Sequence, residues 1–334
     1  MAEAIYCGID FGGTNIKAGL VRASDRAILS QVSIDTQREG GPSHVIGRMI
    51  EAARLAVQSA GLTMPAVAGI GVGSPGPLSH RRGVVFELSN LPGWRCEPVV
   101  ERIAQATGRP ATLENDGNAA AWGEYWAGAG RDVASLVFLT LGTGVGGGIV
   151  LDGRLVRGGR ENGAELGHMI VHAGDRPCTC GQTGCLETYA SAWKMAVRFI
   201  EAVEAGEPSS LAGMLKAGQP VTSKEIVEAA AAGDKLAARI WDETCYYLAV
   251  GCVSMARVVN PDRILLAGGM IAAGEKMLLE PVRRKFGELN WKLRCEGMNL
   301  DPEISFASLG NNAGLVGAAG AVELAISEGT IKVN

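Results

Sequence analysis

Hydrophobic residues at the start of the chain lie on both sides of a glycine turn. In residues 6 to 21, YCGIDFGGTNIKAGLV, this pattern predicts a β-hairpin with glycines at its tip. A second strand, glycine turn and strand follows in residues 135 to 153, SLVFLTLGTGVGGGIVLDG, and aligns Gly142 with Gly12. This echo suggests an internal duplication, although glycine similarity alone also arises by chance.

The rest of the chain predicts strands that alternate with helices. The predicted elements are a helix over 44–61, a buried strand and turn over 66–78, a strand that ends near Glu114 before a helix from Asp116 or Asn118, a helical region over 189–259, a strand leading to Gly268, and a final strand followed by a helix of small residues. Alternation of this kind is typical of an α/β protein whose helices cover its sheets.

Residues 133 to 151 carry no charge and are long enough to span a membrane, but they contain five glycines and two threonines. We interpret them as two buried strands around a turn.

The 334 residues suffice for two domains. With a net charge of −4, the chain has no basic field for nucleic acid or for an anionic membrane, so a small-molecule partner is favoured.

The N-terminus, MAEAIYCGIDFGG, lacks the charged and apolar regions of a signal peptide, and the eight cysteines are unevenly spaced. Both features argue for a reducing, cytoplasmic location rather than a disulfide framework.

Glycine turns bring backbone N–H groups close to phosphate oxygens, because no side chain blocks the approach. Two such turns carry Thr14 and Thr143, and a third glycine pair, Gly268 and Gly269, follows a strand. Each turn alone is equally well a tight hairpin, but together they favour a bound nucleotide. Asp10 precedes the first turn, as either a turn-capping residue or a group near a phosphate-bound Mg²⁺.

Asp116 lies at a predicted junction between a strand and a helix. It is either a helix cap or an acid that accepts a hydroxyl proton, since α/β folds place their chemistry at strand ends.

Three cysteines cluster in CTCGQTGC, residues 178 to 185. Three thiolates and one imidazole form the usual ligand set of a closed structural Zn²⁺ site, which predicts zinc bound by Cys178, Cys180, Cys185 and a histidine. The spacing leaves His168 and His172 as alternatives for the fourth ligand.

Taken together, the ordered motifs resemble the ROK family of sugar kinases and sugar-responsive repressors, which has the actin-like fold of hexokinase-type ATPases. The motifs are DFGGTNIKAG, GSPGP, SNLPGW, ENDGNAAAWGE, LTLGTGVGGGIV, ENGAELGH, CTCGQTGCLE and LLAGGM. The most specific of them is the ExGH motif followed by CxCGxxGCxE. SNLPGW and ENDGNAAAWGE look most like the glucokinase branch.

The resemblance implies a role for each matching residue. Asp116 would bind the sugar and take the proton of its 6-hydroxyl group. The other sugar ligands would be Asn90, Asn115, Glu165, His168 and Glu187, with His168 also binding zinc. The nucleotide residues would be Asp10 (through Mg²⁺), Gly12, Gly13, Thr14, Lys17, Gly142, Thr143, Gly144, Gly268 and Gly269.

The implied fold is a two-domain actin-like ATPase of the ribonuclease H-like type, with ATP and a hexose in the interdomain cleft. We expect a small domain of residues 1–117 and 313–334, and a larger domain of residues 118–312. Gly117 departs from the family's usual alanine, and we expect no helix-turn-helix of the repressor kind before residue 8.

We therefore expect an ATP-dependent hexose kinase that acts on glucose and forms homodimers. N-acetylmannosamine, N-acetylglucosamine, fructose or allose kinases are the alternatives within this class, and a non-catalytic sugar sensor is the alternative from another class. The four predicted zinc ligands leave no open position for a zinc hydrolase.

Overall fold

A computed structural model describes residues 3–88, 91, 93–290 and 300–331. Its strands are β1 Ile5–Phe11, β2 Asn15–Arg22, β3 Ile28–Asp35, β4 Gly69–Ser74, β5 Leu78–Ser79, β6 Val84–Val85, β7 Ala111–Asn115, β8 Leu136–Leu141, β9 Val145–Leu151, β10 Arg154–Leu155, β11 Arg263–Ala267 and β12 Glu303–Phe306. Its α-helices are α1 Gly41–Ser59, α2 Val99–Thr107, α3 Asp116–Ala127, α4 Glu187–Ala190, α5 Ala192–Glu204, α6 Ala212–Lys216, α7 Ser223–Ala231, α8 Lys235–Val258, α9 Glu280–Leu289 and α10 Ala313–Ser327.

Two five-stranded sheets share one strand order. The first runs β3-β2-β1-β4-β7, and the second runs β10-β9-β8-β11-β12. In the first sheet, β1, β4 and β7 are parallel while β2 and β3 are antiparallel to their neighbours. In the second, β8, β11 and β12 are parallel. This repeated order supports the internal duplication that the two glycine hairpins predicted.

The chain divides into two compact units. The first unit comprises Met1–Val133, Gly148–Ala164 and Ser308–Asn334, and the second comprises Ala134–Gly147 and Glu165–Ala307. This division differs from the predicted domain boundaries, because it keeps residues 118–133 and 148–164 with the first unit. The physical reason is that α3 and α10 pack without intervening side chains: a Cβ atom on Gly317 would lie 1.6 Å from the carbonyl oxygen of Ala119.

The first sheet is covered on both faces. One face packs against α1 and α2 through a core that includes Ile9, Val45 and Met49. On the other face, α10 lies directly on the backbone of two strands. A Cβ atom on Gly71 of β4 would lie 1.7 Å from the carbonyl oxygen of Ala318. Small residues in α10 therefore set the distance between this helix and the sheet, as its composition predicted.

Residues 133 to 151 form strands β8 and β9 with a glycine turn between them, as predicted. Within the described ranges, no helix has both the length and the apolar character that crossing a bilayer requires. The sequence TSKE, residues 222 to 225, forms a capping box at the start of α7. The Glu225 carboxylate accepts from the backbone N–H of Thr222, and the Thr222 hydroxyl oxygen accepts from the backbone N–H of Lys224.

Candidate active site

The carboxyl ends of three parallel strands bring acidic residues together in the first unit. Asp10 of β1 pairs in register with Gly73 of β4, which pairs in turn with Glu114 of β7. Asp116 follows β7 directly as the first residue of α3, and it is exposed. Ligands of open α/β sheets bind beyond this edge, so Asp10 and Asp116 lie where such chemistry is expected.

Asn115, and not Asp116, caps helix α3. The Asn115 side chain accepts a hydrogen bond from the backbone N–H of Asn118 at 3.2 Å. The Asp116 carboxylate instead accepts from the N–H of Gly117, at 2.8 Å. The interpretation of Asp116 as the helix cap is therefore wrong, and its exposed carboxylate lies at the end of the strand without serving as the cap.

The first glycine turn is a tight hairpin tip. The backbone N–H of Gly12 donates to the carbonyl oxygen of Asn15 at 3.0 Å. The Thr36 hydroxyl donates to the Gly12 carbonyl oxygen at 2.8 Å, which fixes the tip from the side. Gly13 and Thr14 at this tip are exposed. The tip is therefore exposed, as a phosphate-binding turn requires.

Asp10 and Lys17 face each other across the β1–β2 hairpin. Burial raises the pKa of the Asp10 carboxyl group, and the Lys17 ammonium lowers this pKa in part. Lys17 also donates to the carbonyl oxygen of Asn311 at 3.2 Å. A half-buried carboxylate whose charge is incompletely balanced fits a site for a hard divalent cation such as Mg²⁺.

In the second unit, the second glycine turn and the Gly268–Gly269 pair lie at one sheet edge. Thr140 of β8 pairs with Ala267 of β11, so the residues that follow each strand are neighbours. Gly268 has a φ of 87°, and a Cβ atom there would lie 2.4 Å from the carbonyl oxygen of Leu141. Only glycine fits this close approach.

A cavity of 220 Å³ borders the Gly268–Gly269 turn. Its lining is mostly apolar and comes from helix α7, helix α8 and the segment after β11. The lining residues are Ser223, Lys224, Val227, Glu228, Trp241, Gly269, Met270, Ala272 and Ala273. An apolar recess beside a backbone turn suits an aromatic ring such as a nucleobase.

Glu187 lies against the second glycine turn. Its Oε2 atom accepts from the backbone N–H of Val145 at 3.0 Å. A Cβ atom on Gly144 would lie only 2.4 Å from the same oxygen. Gly144 therefore leaves the space that the Glu187 carboxylate occupies.

The segment from Glu165 to His168 is also fastened to β9. A short 3-10 helix, Leu166–His168, begins after the exposed residue Glu165. A Cβ atom on Gly167 would lie 1.9 Å from the carbonyl oxygen of Val145, so this turn contacts the strand backbone directly. This contact explains the glycine of the ExGH motif and orients Glu165 and His168.

One histidine and three cysteines converge beside this segment. Cys178 Sγ lies 3.6 Å from His168 Nδ1, and Cys180 Sγ lies 3.7 Å from Cys185 Sγ. All four ligand atoms lie within 4.8 Å of one another. A tetrahedral Zn²⁺, with bonds of about 2.3 Å to sulfur and about 2.0 Å to nitrogen, spaces its ligand atoms roughly 3.5–3.8 Å apart. The residues therefore fit this ion.

His172 points to another partner. Its Nδ1 atom lies 2.8 Å from the hydroxyl group of Tyr247, and its ring stacks on Tyr189 and Tyr247. Of the two histidines that the spacing left open, the structure groups His168 with the cysteines.

Comparison with known proteins identifies the family of this chain. The ROK family matches residues 6–324. This chain belongs to the ROK family. A glucokinase of Thermotoga maritima is 39% identical to it, over 85% of this chain and 88% of the relative. A glucokinase of Halalkalibacterium halodurans is 34% identical, over 95% and 94% respectively.

A solved structure with the same fold is the ROK family glucokinase of Streptomyces griseus in complex with glucose and AMPPNP. It is 33% identical to this ROK chain, with a TM-score of 0.75, and the alignment covers 95% of this chain and 99% of that one. The predicted fold class, an α/β actin-like ATPase, is confirmed by this likeness and by the two equivalent sheets.

Among the predicted site residues of this ROK chain, Asn90 lies outside the described residues. The first unit groups Asp10, Gly12, Gly13, Thr14, Lys17, Asn115 and Asp116 at one sheet edge. The second unit groups the turn residues Gly142, Thr143 and Gly144 with Glu187, and it brings Gly268 to the same edge.

Sequence reasoning missed the polar contacts beneath Asp116. Glu114 is buried in β7 and contacts Asn115, Asn118 and Arg157. One signal was visible in the sequence: Glu114 is the only charged residue of strand β7, and a buried charge needs a partner.

Proposed function

We propose that this ROK-family chain is an ATP-dependent hexose kinase that phosphorylates the 6-hydroxyl group of glucose. The observation that carries the proposal is the position of the exposed Asp116 at the carboxyl edge of the first sheet. Asp10 lies at the same edge, because it pairs through Gly73 with Glu114, two residues before Asp116. Relatives named glucokinase support the choice of sugar.

In the proposed reaction, the Asp116 carboxylate accepts the proton of the 6-hydroxyl group as the sugar oxygen attacks the γ-phosphorus atom of ATP. A bond forms between this oxygen and phosphorus, and the bond to the β,γ-bridging oxygen breaks, which releases ADP. The protein mainly positions the acceptor and balances charge in such a transfer. Asn115 would bind a neighbouring hydroxyl group beside the base.

We assign the remaining sugar contacts to Glu165, His168, Glu187 and Asn90. Carboxylates suit sugar hydroxyl groups because they accept hydrogen bonds strongly. If Nδ1 of His168 binds a metal ion, Nε2 carries the ring proton and would donate a hydrogen bond to a sugar oxygen.

Phosphate groups would be held by the backbone of the two glycine turns and by Lys17. Asp10 would attend a bound Mg²⁺, which neutralises phosphate charge. The apolar cavity beside Gly269 would take the adenine ring, since its size and lining suit a planar heterocycle.

We assign a structural Zn²⁺ to His168, Cys178, Cys180 and Cys185. When bound, the ion would cross-link the segments that carry Glu165 and Glu187. Its four protein ligands close the coordination sphere, so it would not touch the substrate.

Gly144→Ala is expected to raise the KM for the sugar about tenfold. The added Cβ atom would displace the Glu187 carboxylate from the N–H of Val145, and a hydrogen bond to a charged group contributes about 1.5–3 kcal/mol. Only the end of a flexible side chain must move, so the melting temperature should change little. Steady-state kinetics with varied glucose measures the effect.

The matched control is Gly213→Ala in helix α6 of the same unit, because no atom lies within 4 Å of a Cβ at this position and Gly213 has no assigned contact with substrate or nucleotide. Its KM for the sugar should stay within twofold of wild type. Equal values of this KM for the two variants would contradict the assignment of Glu187 to the sugar.

The proposed function is tested by ADP release from Mg-ATP with a panel of glucose, N-acetylglucosamine, N-acetylmannosamine, fructose, mannose and allose. We expect the highest kcat/KM with glucose. A different preferred hexose would overturn the assigned substrate and leave the reaction class standing. No turnover with any sugar would overturn the kinase assignment and favour a sugar sensor.

A further inference from the structure

Glu114 is a buried carboxylate directly before the Asn115–Asp116 pair. It is only 1% exposed. Its Oε1 atom accepts from the backbone N–H of Asn115 at 3.1 Å and from the side-chain amide of Asn118 at 3.2 Å. Glu114 therefore holds Asn115, which directly precedes Asp116, and Asn118, which follows Asp116 by two positions.

The other carboxylate oxygen faces two basic side chains. Oε2 of Glu114 accepts from Nε of Arg157 at 2.7 Å and lies 3.6 Å from Nδ1 of His80. His80 uses the same nitrogen to contact the Leu113 carbonyl oxygen, at 2.7 Å. Arg157 comes from the segment after β10 and also lies 3.5 Å from Glu328. The Glu114 carboxylate is thus held through both of its oxygen atoms.

A buried ion pair is a poor source of stability, because desolvation of the two charges offsets much of their attraction. An apolar pair of similar size would serve the core as well. The pair at Glu114 differs from an ordinary buried salt bridge because the other carboxylate oxygen, Oε1, holds Asn115 and Asn118, which lie before and after the proposed base.

We propose that Glu114 is a positioning residue for Asp116, and that Arg157 sets the orientation of the Glu114 carboxylate. The inference rests on the proposed role of Asp116 as the base. Fixing Asn115 and Asn118 fixes the backbone that carries Asp116, and so sets the direction of its carboxylate. A displacement of about 1 Å at a reacting group costs up to about 100-fold in rate.

The test is Glu114→Gln. The Arg157 N–H would attract the amide oxygen of the new side chain, which turns the amide NH₂ group toward Asn115 N and Asn118 Nδ2. The new NH₂ group would then face the N–H groups of Asn115 and Asn118, which are donors and need an acceptor. We expect kcat to fall about 10- to 100-fold, with the KM for ATP within twofold of wild type.

The second variant is Glu114→Gln with Arg157→Gln. In a glutamine at 157, the amide oxygen and nitrogen are bonded to Cδ, as Nε is in Arg157. The amide can therefore reach the same place and offer its oxygen to the NH₂ group of the glutamine at 114. The amide oxygen at 114 can then accept from Asn115 and Asn118 again. We expect this double variant to recover at least about tenfold in kcat over the single variant.

Glu124→Gln is the matched control. Glu124 is a second fully buried glutamate of the same unit, and its carboxylate accepts from the backbone N–H groups of Ala129, Ser308 and Leu309. Among the described residues, Glu124 bonds neither Asn115 nor Asn118. This variant should lower the melting temperature while keeping kcat within threefold of wild type.

A kcat for Glu114→Gln within threefold of wild type, with or without a lower melting temperature, would overturn the inference. If this variant does not fold, Asn118→Ala replaces it, because it keeps the Glu114–Arg157 pair and removes one of the anchored groups. We expect about a tenfold loss of kcat for Asn118→Ala, and an unchanged kcat overturns the inference. An inactive wild-type protein would instead refute the proposed kinase function.

Discussion

Asp116→Asn is expected to lower kcat for glucose phosphorylation by about 100- to 10,000-fold, the range typical of a lost general base. The amide keeps the size of the carboxylate but cannot accept the hydroxyl proton. Because Asn115 caps α3 and Asp116 does not, the helix should form normally in the variant. Steady-state kinetics measures kcat, and calorimetric titration measures the dissociation constant for glucose.

Sugar binding separates this result from simple unfolding. We expect the dissociation constant for glucose to change less than tenfold in Asp116→Asn. Asp25→Asn is a suitable control, since Asp25 is an exposed partner of Arg22 in the same unit and contributes to no proposed contact with substrate. A kcat for Asp116→Asn within threefold of wild type would exclude Asp116 as the base.

Cys185→Ala is expected to remove the bound zinc and to lower kcat/KM for glucose at least about tenfold. Even contacts outside the first coordination shell contribute about 10- to 100-fold in metal affinity, so the loss of a direct thiolate ligand should exceed that. Without the ion, the segments around Glu165 and Glu187 lose their cross-link. Metal analysis by mass spectrometry and thermal unfolding with and without a chelator measure the effect.

The matched control is Cys245→Ala, because Cys245 is a fully buried cysteine of helix α8 in the same unit. It should retain one zinc ion per chain and an unchanged response to the chelator. A zinc-free wild-type protein with full activity would contradict the zinc assignment and leave the kinase proposal in place.

The fold was largely predictable because the two hairpins, the capping box and the glycine turns are local features. Register across β1, β4 and β7 was not, since it depends on residues far apart in the chain. The predicted boundary at residue 117 missed the packing of α3 on α10 for the same reason.

The candidate site shows a similar limit. Motif spacing identified the glycine turns and the three cysteines, but it did not decide whether His168 or His172 is the fourth zinc ligand. Only the tertiary structure places His168 beside the cysteines and His172 beside Tyr247. The Glu114–Arg157 pair joins residues 43 positions apart. The sequence shows that Glu114, the one charged residue of β7, needs a partner, but it does not show that the partner is Arg157.

The most direct test of the account is to identify the product by nuclear magnetic resonance after incubation of the purified protein with Mg-ATP and glucose, and in parallel with 6-deoxyglucose. The account predicts one glucose 6-phosphate for each ADP released, and no sugar phosphate from 6-deoxyglucose. A phosphoryl group on any other hydroxyl group, or phosphorylation of 6-deoxyglucose, would contradict it.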